Sequence, residues 1–221
     1  MMDQLFSVLL MLHIAGGGTG LIAGTIAASV KKGSKPHLLS GIVFFWGMLT
    51  ASLSALVLSR IPGHENLFLF AVGGFTLYMI LTGYRIVILK RKFKTIPVKI
   101  PLTDYLITVF GLLFAIFLLI QSVKGLLNGY MFSIVPGVFG GICLSYVLLD
   151  AKLFMGRTTI KTSWMYSHIV RMMGAMIASY TAFLVVNVQI EMQWILWLLP
   201  SVIGSIFITQ FIRKYVVSTQ K

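Results

Sequence analysis

Residues 12–48 read LHIAGGGTGLIAGTIAASVKKGSKPHLLSGIVFFWGM, and they decide the fold. Two apolar segments flank a short basic turn, KKGSKP. Each segment continues beyond this window and is long enough to cross the ~30 Å hydrocarbon layer of a bilayer as a helix. Gly16, Gly20, Gly24 and Ala28 recur every four residues and so share one stripe of a helix. Such a stripe of small residues lets two membrane helices approach closely. Two histidines stand out in this apolar setting. His13 is followed one turn later by Gly17, and His37 by Gly41.

The rest of the chain follows the same pattern. Of its 221 residues 58% are hydrophobic and 10% charged, against about 25% charged in a typical soluble domain. Mean hydropathy is +0.95. The alternating ten-residue segments of a membrane β-barrel are absent from the sequence. The expected fold class is therefore all-α: a polytopic membrane protein, a seven-helix bundle forming a single domain over 1–221. The spans are predicted at about 4–30, 37–59, 66–89, 103–123, 130–149, 164–187 and 193–212. Turn formers separate them, notably Gly33 to Pro36, Pro62-Gly63, Pro97 to Pro101 and Asn128-Gly129.

The net charge of +13 does not point to nucleic acid, because the basic residues sit in short loops on alternate sides. One side collects Lys31, Lys32, Lys35, Arg85, Lys90, Arg91, Lys92, Lys94, Lys99, Lys152, Arg157, Lys161, Arg213, Lys214 and Lys221. The other has Arg60 and Lys124, with Asp3, Glu65 and Glu191. The positive-inside rule then predicts the N-terminus outside and the C-terminus cytoplasmic. The opening Met-Met-Asp-Gln lacks the basic region of a cleaved leader, so the first span is expected to stay. Cys143 is the only cysteine and falls inside a span, so no disulfide framework or cysteine zinc motif is expected.

Ionisable groups inside spans are costly and serve as functional candidates. His13 lies eighteen residues before Lys31, about 27 Å at 1.5 Å per residue, and so belongs to the outer leaflet. His37, His168 and Arg171 belong to an inner level, joined there by Asp104 and Asp150. His13 and His37 are then on the order of 25 Å apart along the bilayer normal and cannot share a metal. His37 and His168 are candidate axial ligands of one haem b or one metal ion, with Arg171 toward a propionate and His13 as a further imidazole. Each part also has a structural explanation. His37 would cap a helix, and His168 would pair with Arg171. The glycine stripe would pack helices, and Arg85 would snorkel to the interface beside Tyr78. Tyr78, Arg85 and Asn187 complete the expected buried polar positions. The hydroxyls of Ser179, Tyr180 and Thr181 are expected to join helices.

Several functions find little support in the sequence, and a zinc enzyme acting on lipid ranks fourth, behind the three readings below. No mid-span lysine could hold retinal, and there is no HExxH, P-loop or nucleophile elbow. A zinc enzyme acting on lipid is left one ligand short by His37 and His168 alone.

The pattern HIxxGxxxLxxGxxA…KKGxxxH…G, with FLFAVGGFTLYMILTGYR and HIVRMMGAMIASYTAFLVVN, resembles an uncharacterised group of predicted bacterial multi-span membrane proteins. The resemblance covers the first three spans and the sixth. It implies an inner-membrane protein with recurrent polar positions at His13, His37, Tyr78, Arg85, His168 and Asn187, and it carries no activity with it. The arrangement is also similar to that of b-type transmembrane cytochromes. Those pair histidines on each of two helices, whereas no span here holds two, so this likeness implies at most a single inner haem. Three functions stay open: haem or metal binding with electron transfer, transport of a small molecule, and service as an accessory subunit of a membrane complex. In the transport case Gly73-Gly74 and Gly140-Gly141 would mark flexible or broken helices. Partners are the lipid bilayer and a complex partner or second copy, the latter through the Gly16/Gly20/Gly24 face.

Overall fold

The computed structural model describes residues 2–92, 100–157 and 160–217. Lys94, Pro97, Lys99 and Lys221 lie outside the described residues. Seven helices follow one another: α1 (Met2–Ser29), α2 (Lys35–Leu58), α3 (Leu67–Lys92), α4 (Leu102–Leu127), α5 (Ile134–Phe154), α6 (Ile160–Asn187) and α7 (Trp194–Ile212). A short 3₁₀ turn, Met131–Ser133, leads into α5, and a π turn, Arg213–Val217, follows α7. Among the described residues there is no strand. All seven helices are long and apolar enough to cross a membrane.

The expected spans fall on these helices, and the ends differ most at α4, α5 and α6: α5 begins at Ile134 against 130 and α6 at Ile160 against 164. α4 runs on to Leu127 and α5 to Phe154, which draws Lys124, Asp150 and Lys152 into helix. The physical reason is that a helix does not stop where hydrocarbon stops. Lys124 and Lys152 each sit in a last turn, where a cation meets the negative end of the helix dipole. The glycine pairs also differ from expectation. Gly73-Gly74 and Gly140-Gly141 lie within unbroken helices. Gly73 packs against Ala55 and the Ser52 carbonyl, and Gly140 against the Ala115 carbonyl and Leu118, so these two provide close packing, whereas a Cβ at Gly141 would meet nothing within 4 Å.

The chain groups into two compact units. The first holds 1–80 and 175–201, the second 81–174 and 202–221. In the first unit α1 and α2 form an antiparallel hairpin. Ser34 caps α2 by accepting the His37 amide, and Pro36 sits in the first turn. The cap is thus Ser34 and not His37. The small-residue stripe of α1 faces α2: a Cβ at Gly20 would press on Met48, and one at Gly24 on Phe44. Gly47 answers from α2, where a Cβ would stand 2.7 Å from the Gly16 carbonyl and 2.9 Å from the Gly20 Cα. Those obstacles are backbone, so only glycine fits. The stripe is therefore occupied within one chain. Phe44, Met48, Ala51 and Ala55 continue this core, joined by Phe75, Tyr78, Met79 and Ile80. In the second unit Ile86 and Leu89 are buried, with Val87, Leu153 and Trp164 packed against them. Large apolar side chains such as Met11, Ile22, Trp46 and Leu113 remain uncovered. An apolar surface of that extent calls for a bilayer around it.

Candidate functional site

The second unit gathers the charged groups of the spans. Thr82, Arg85, Ile86 and Leu89 on α3 are spaced at i, i+3, i+4 and i+7, so they share one face. Asp104, Ile107 and Thr108 repeat that spacing on α4, and Asp150, Leu153 and Phe154 on α5. These three stripes and Arg171 of α6 line one cavity of about 10 Å³, room for roughly one water molecule.

Two ion pairs border it, and they differ in kind. Arg85 meets Asp104 with both arms of its fork: Nε donates to Oδ1 at 3.0 Å, Nη2 donates to Oδ2, and Nη2 also reaches Thr103 Oγ1 at 3.0 Å. Arg85 retains 23% of its side-chain exposure. Arg171 is 3% exposed and meets Asp150 with one arm, Nη2 to Oδ1 at 2.5 Å. Its guanidinium also lies 5.6 Å above the Tyr146 ring centroid. The Arg171 Nε–H is buried without a partner, and so is Thr108 Oγ1. A buried guanidinium N–H left unpaired is costly, so a donor of this kind lining a cavity favours an oxygen or an anion there.

Gly83 brings α6 in close. A Cβ there would stand 3.0 Å from Arg171 Cβ. At that distance His168 Nδ1–H donates to the Gly83 carbonyl at 2.9 Å. His168 and Arg171, expected as partners of each other, thus take separate ones. Arg85, part-exposed, pairs with Asp104.

In the first unit the other span histidines behave like His168. His13 Nδ1–H donates to the Ala51 carbonyl at 2.9 Å, with Ser54 Oγ 3.4 Å away. His37 Nδ1–H donates to the Ala27 carbonyl at 3.0 Å. One clasp runs from α1 to α2 and the other from α2 to α1, at opposite ends of the hairpin. From His37 to Ala51 is fourteen residues, about 21 Å of helix, so the two imidazoles cannot meet. A carbonyl only accepts, so all three rings carry their proton on Nδ1. In the neutral ring Nε2 then holds the lone pair, the state that second-shell contacts impose on metal-binding histidines. No Cβ contact lies within 4 Å at Gly41, one turn after His37.

His37 lies in the first unit and His168 in the second. Among the described residues no three of His, Cys, Asp and Glu gather closely enough to hold a metal ion. Tyr78 is fully buried in the first unit. Asn187, expected to be buried, is exposed at the end of α6, where Nδ2 donates to the Phe183 carbonyl at 2.8 Å. A terminal amide there satisfies itself on its own helix. Tyr180 and Ser179 join helices as expected, Tyr180 through Thr25 Oγ1 at 2.6 Å and Ser179 through Met48 Sδ at 3.3 Å.

The pairing of each arginine with a particular carboxylate was the feature sequence reasoning missed. The signal was the scarcity of acid: of five acidic residues, Asp104 and Asp150 alone fall at the level of Arg171 in the spans. No protein-family profile matches this chain, and no curated protein or solved structure matches it either.

Proposed function

We propose that this protein is a membrane transporter for a small solute, with its binding site among the α3–α6 charges of the second unit. One observation carries this reading: two arginine–carboxylate pairs on four apolar helices line one cavity, and the Nε–H of one of these arginines is buried without a partner. Intramembrane charges of this kind mark ion and substrate pathways. The loop charges support a cytoplasmic C-terminus, an outer N-terminus and an inner-membrane location, which puts this cavity toward the cytoplasm. The test is thermal unfolding of the detergent-purified protein against formate, acetate, chloride, nitrate, phosphate, sodium and potassium, followed by uptake into proteoliposomes for each solute that stabilises. Stabilisation and saturable uptake support the reading. A flat response across the whole panel refutes it.

A second reading is electron transfer through a haem b bound by imidazole. It is supported by the Nδ1-protonated state of His37, His168 and His13 and by the open space at Gly41, where a ring would find room. His37 in the first unit and His168 in the second are each candidate haem ligands taken separately, with Arg171 the candidate for a propionate beside His168. A dithionite-reduced absorption spectrum decides it. A sharp reduced-haem band, lost in His37→Ala or in His168→Ala, supports it. A featureless spectrum from haem-replete cells excludes it.

A further inference from the structure

We propose that the basic end of the second unit binds an anionic phospholipid, with its phosphate among Lys90, Lys152 and Arg157 and its acyl chains along the uncovered face of α4. Such a site is independent of the transport reading. Charge is divided unevenly between the two units. The second holds fourteen lysines and arginines against two acids, a net of +12 within the chain's +13. Eight of these cations fall in 90–99 and 152–161, where α3 and α5 end and α4 and α6 begin. The two acids, Asp104 and Asp150, are engaged by Arg85 and Arg171. No further aspartate or glutamate exists in this unit to offset the cations at its end.

Packing brings three of them to one place. Leu153 and Trp164 pack on Ile86 and Leu89, so the ends of α3 and α5 meet the start of α6. Lys90 follows Leu89, and its Nζ stands 3.8 Å from the Trp164 ring centroid. That contact steadies the ammonium beside tryptophan, a side chain that settles at bilayer interfaces. Lys152 sits in the last turn of α5. Gly156, with φ +70°, turns the chain back so that the Arg157 amide donates to the Lys152 carbonyl at 2.9 Å. Lys152 and Arg157 therefore leave from one turn, and they and Lys90 are exposed. Ammonium and guanidinium groups both hydrogen-bond phosphate oxygens strongly. Beside them the surface is apolar. Leu102, Leu106, Val109 and Leu113 share one face of α4 and are 51–71% exposed. Tyr105 of α4 lies 4.9 Å from Phe154 of α5, which sets the start of that face next to the α5 cations. A choline headgroup would add another cation here, so the site selects a phospholipid of net negative charge.

Native mass spectrometry of the detergent-purified full chain measures Kd for phosphatidylglycerol and for phosphatidylcholine with the same acyl chains. Glycerol 3-phosphate serves as the headgroup without chains. Phosphatidylglycerol is expected to bind at least about tenfold tighter than phosphatidylcholine. Glycerol 3-phosphate should not displace it. The triple change Lys90→Gln, Lys152→Gln and Arg157→Gln should weaken phosphatidylglycerol binding by at least about tenfold. Lys31→Gln with Lys35→Gln and Lys124→Gln removes the same charge elsewhere and should leave that binding unchanged. Equal losses in the two variants overturn the proposal, since attraction would then be diffuse. Equal Kd values for the two lipids overturn it as well, and displacement by glycerol 3-phosphate assigns this end to a soluble phosphate instead. Should the first variant fail to fold, the wild-type comparison of the two lipids and glycerol 3-phosphate decides alone.

Discussion

Arg171 and Arg85 are the same residue type in different bonding states, and that difference sets their energetics. Arg171 is buried with one bond to Asp150, so removing either partner strands a charge in an apolar interior. Arg171→Met is expected to lower stability by about 3–5 kcal/mol. Arg171→Met combined with Asp150→Leu should recover most of that loss, because the stranded carboxylate is gone. Chemical or thermal unfolding in detergent gives both numbers, and additivity of the two single changes would contradict the pairing. Arg85→Met should cost less, since Arg85 keeps part of its exposure and solvent screens the pair. The level of these groups was legible from span positions. Their pairing was not, because residue spacing along one helix says nothing about which helix stands beside it.

At the scale of elements the α1–α2 hairpin separates two kinds of glycine. Gly47 faces backbone at under 3 Å, whereas a Cβ at Gly41 meets nothing within 4 Å. Gly47→Ala is therefore expected to destabilise by about 1–3 kcal/mol through overpacking. Gly41→Ala should be neutral or stabilising by up to about 1 kcal/mol, from helix propensity alone. Melting temperatures of the two variants check this, and the opposite order would refute the packing described. The four-residue stripe Gly16, Gly20, Gly24 was readable as a packing face. Its partner was open between α2 and a second copy. Gly47, out of four-residue step with Gly41 in an aromatic-rich helix, showed no periodic signal of its own, and it is what lets α2 occupy the stripe.

At the scale of the whole molecule, seven apolar helices make a multi-pass membrane protein. The proposed orientation is open to direct labelling. Cys143 is buried and is the only native thiol, so background reaction should be low. An impermeant maleimide applied to intact cells should label Glu65→Cys, between α2 and α3, and spare Ser34→Cys, between α1 and α2. The reverse pattern would invert the topology and place the α3–α6 charges toward the outside.

The sequence by itself determined how many spans there are, where they lie to within a few residues, and which loops are basic. These are local properties: a span is a run of apolar residues long enough for the bilayer, and each run can be read without knowing its neighbours. Only the tertiary structure decided that Arg85 takes Asp104, that Arg171 takes Asp150 with one arm unused, and that His13, His37 and His168 donate to Ala51, Ala27 and Gly83. Ion pairing depends on which helices lie side by side. The histidine acceptors are backbone carbonyls, which every residue possesses, so no residue type in the sequence marks them.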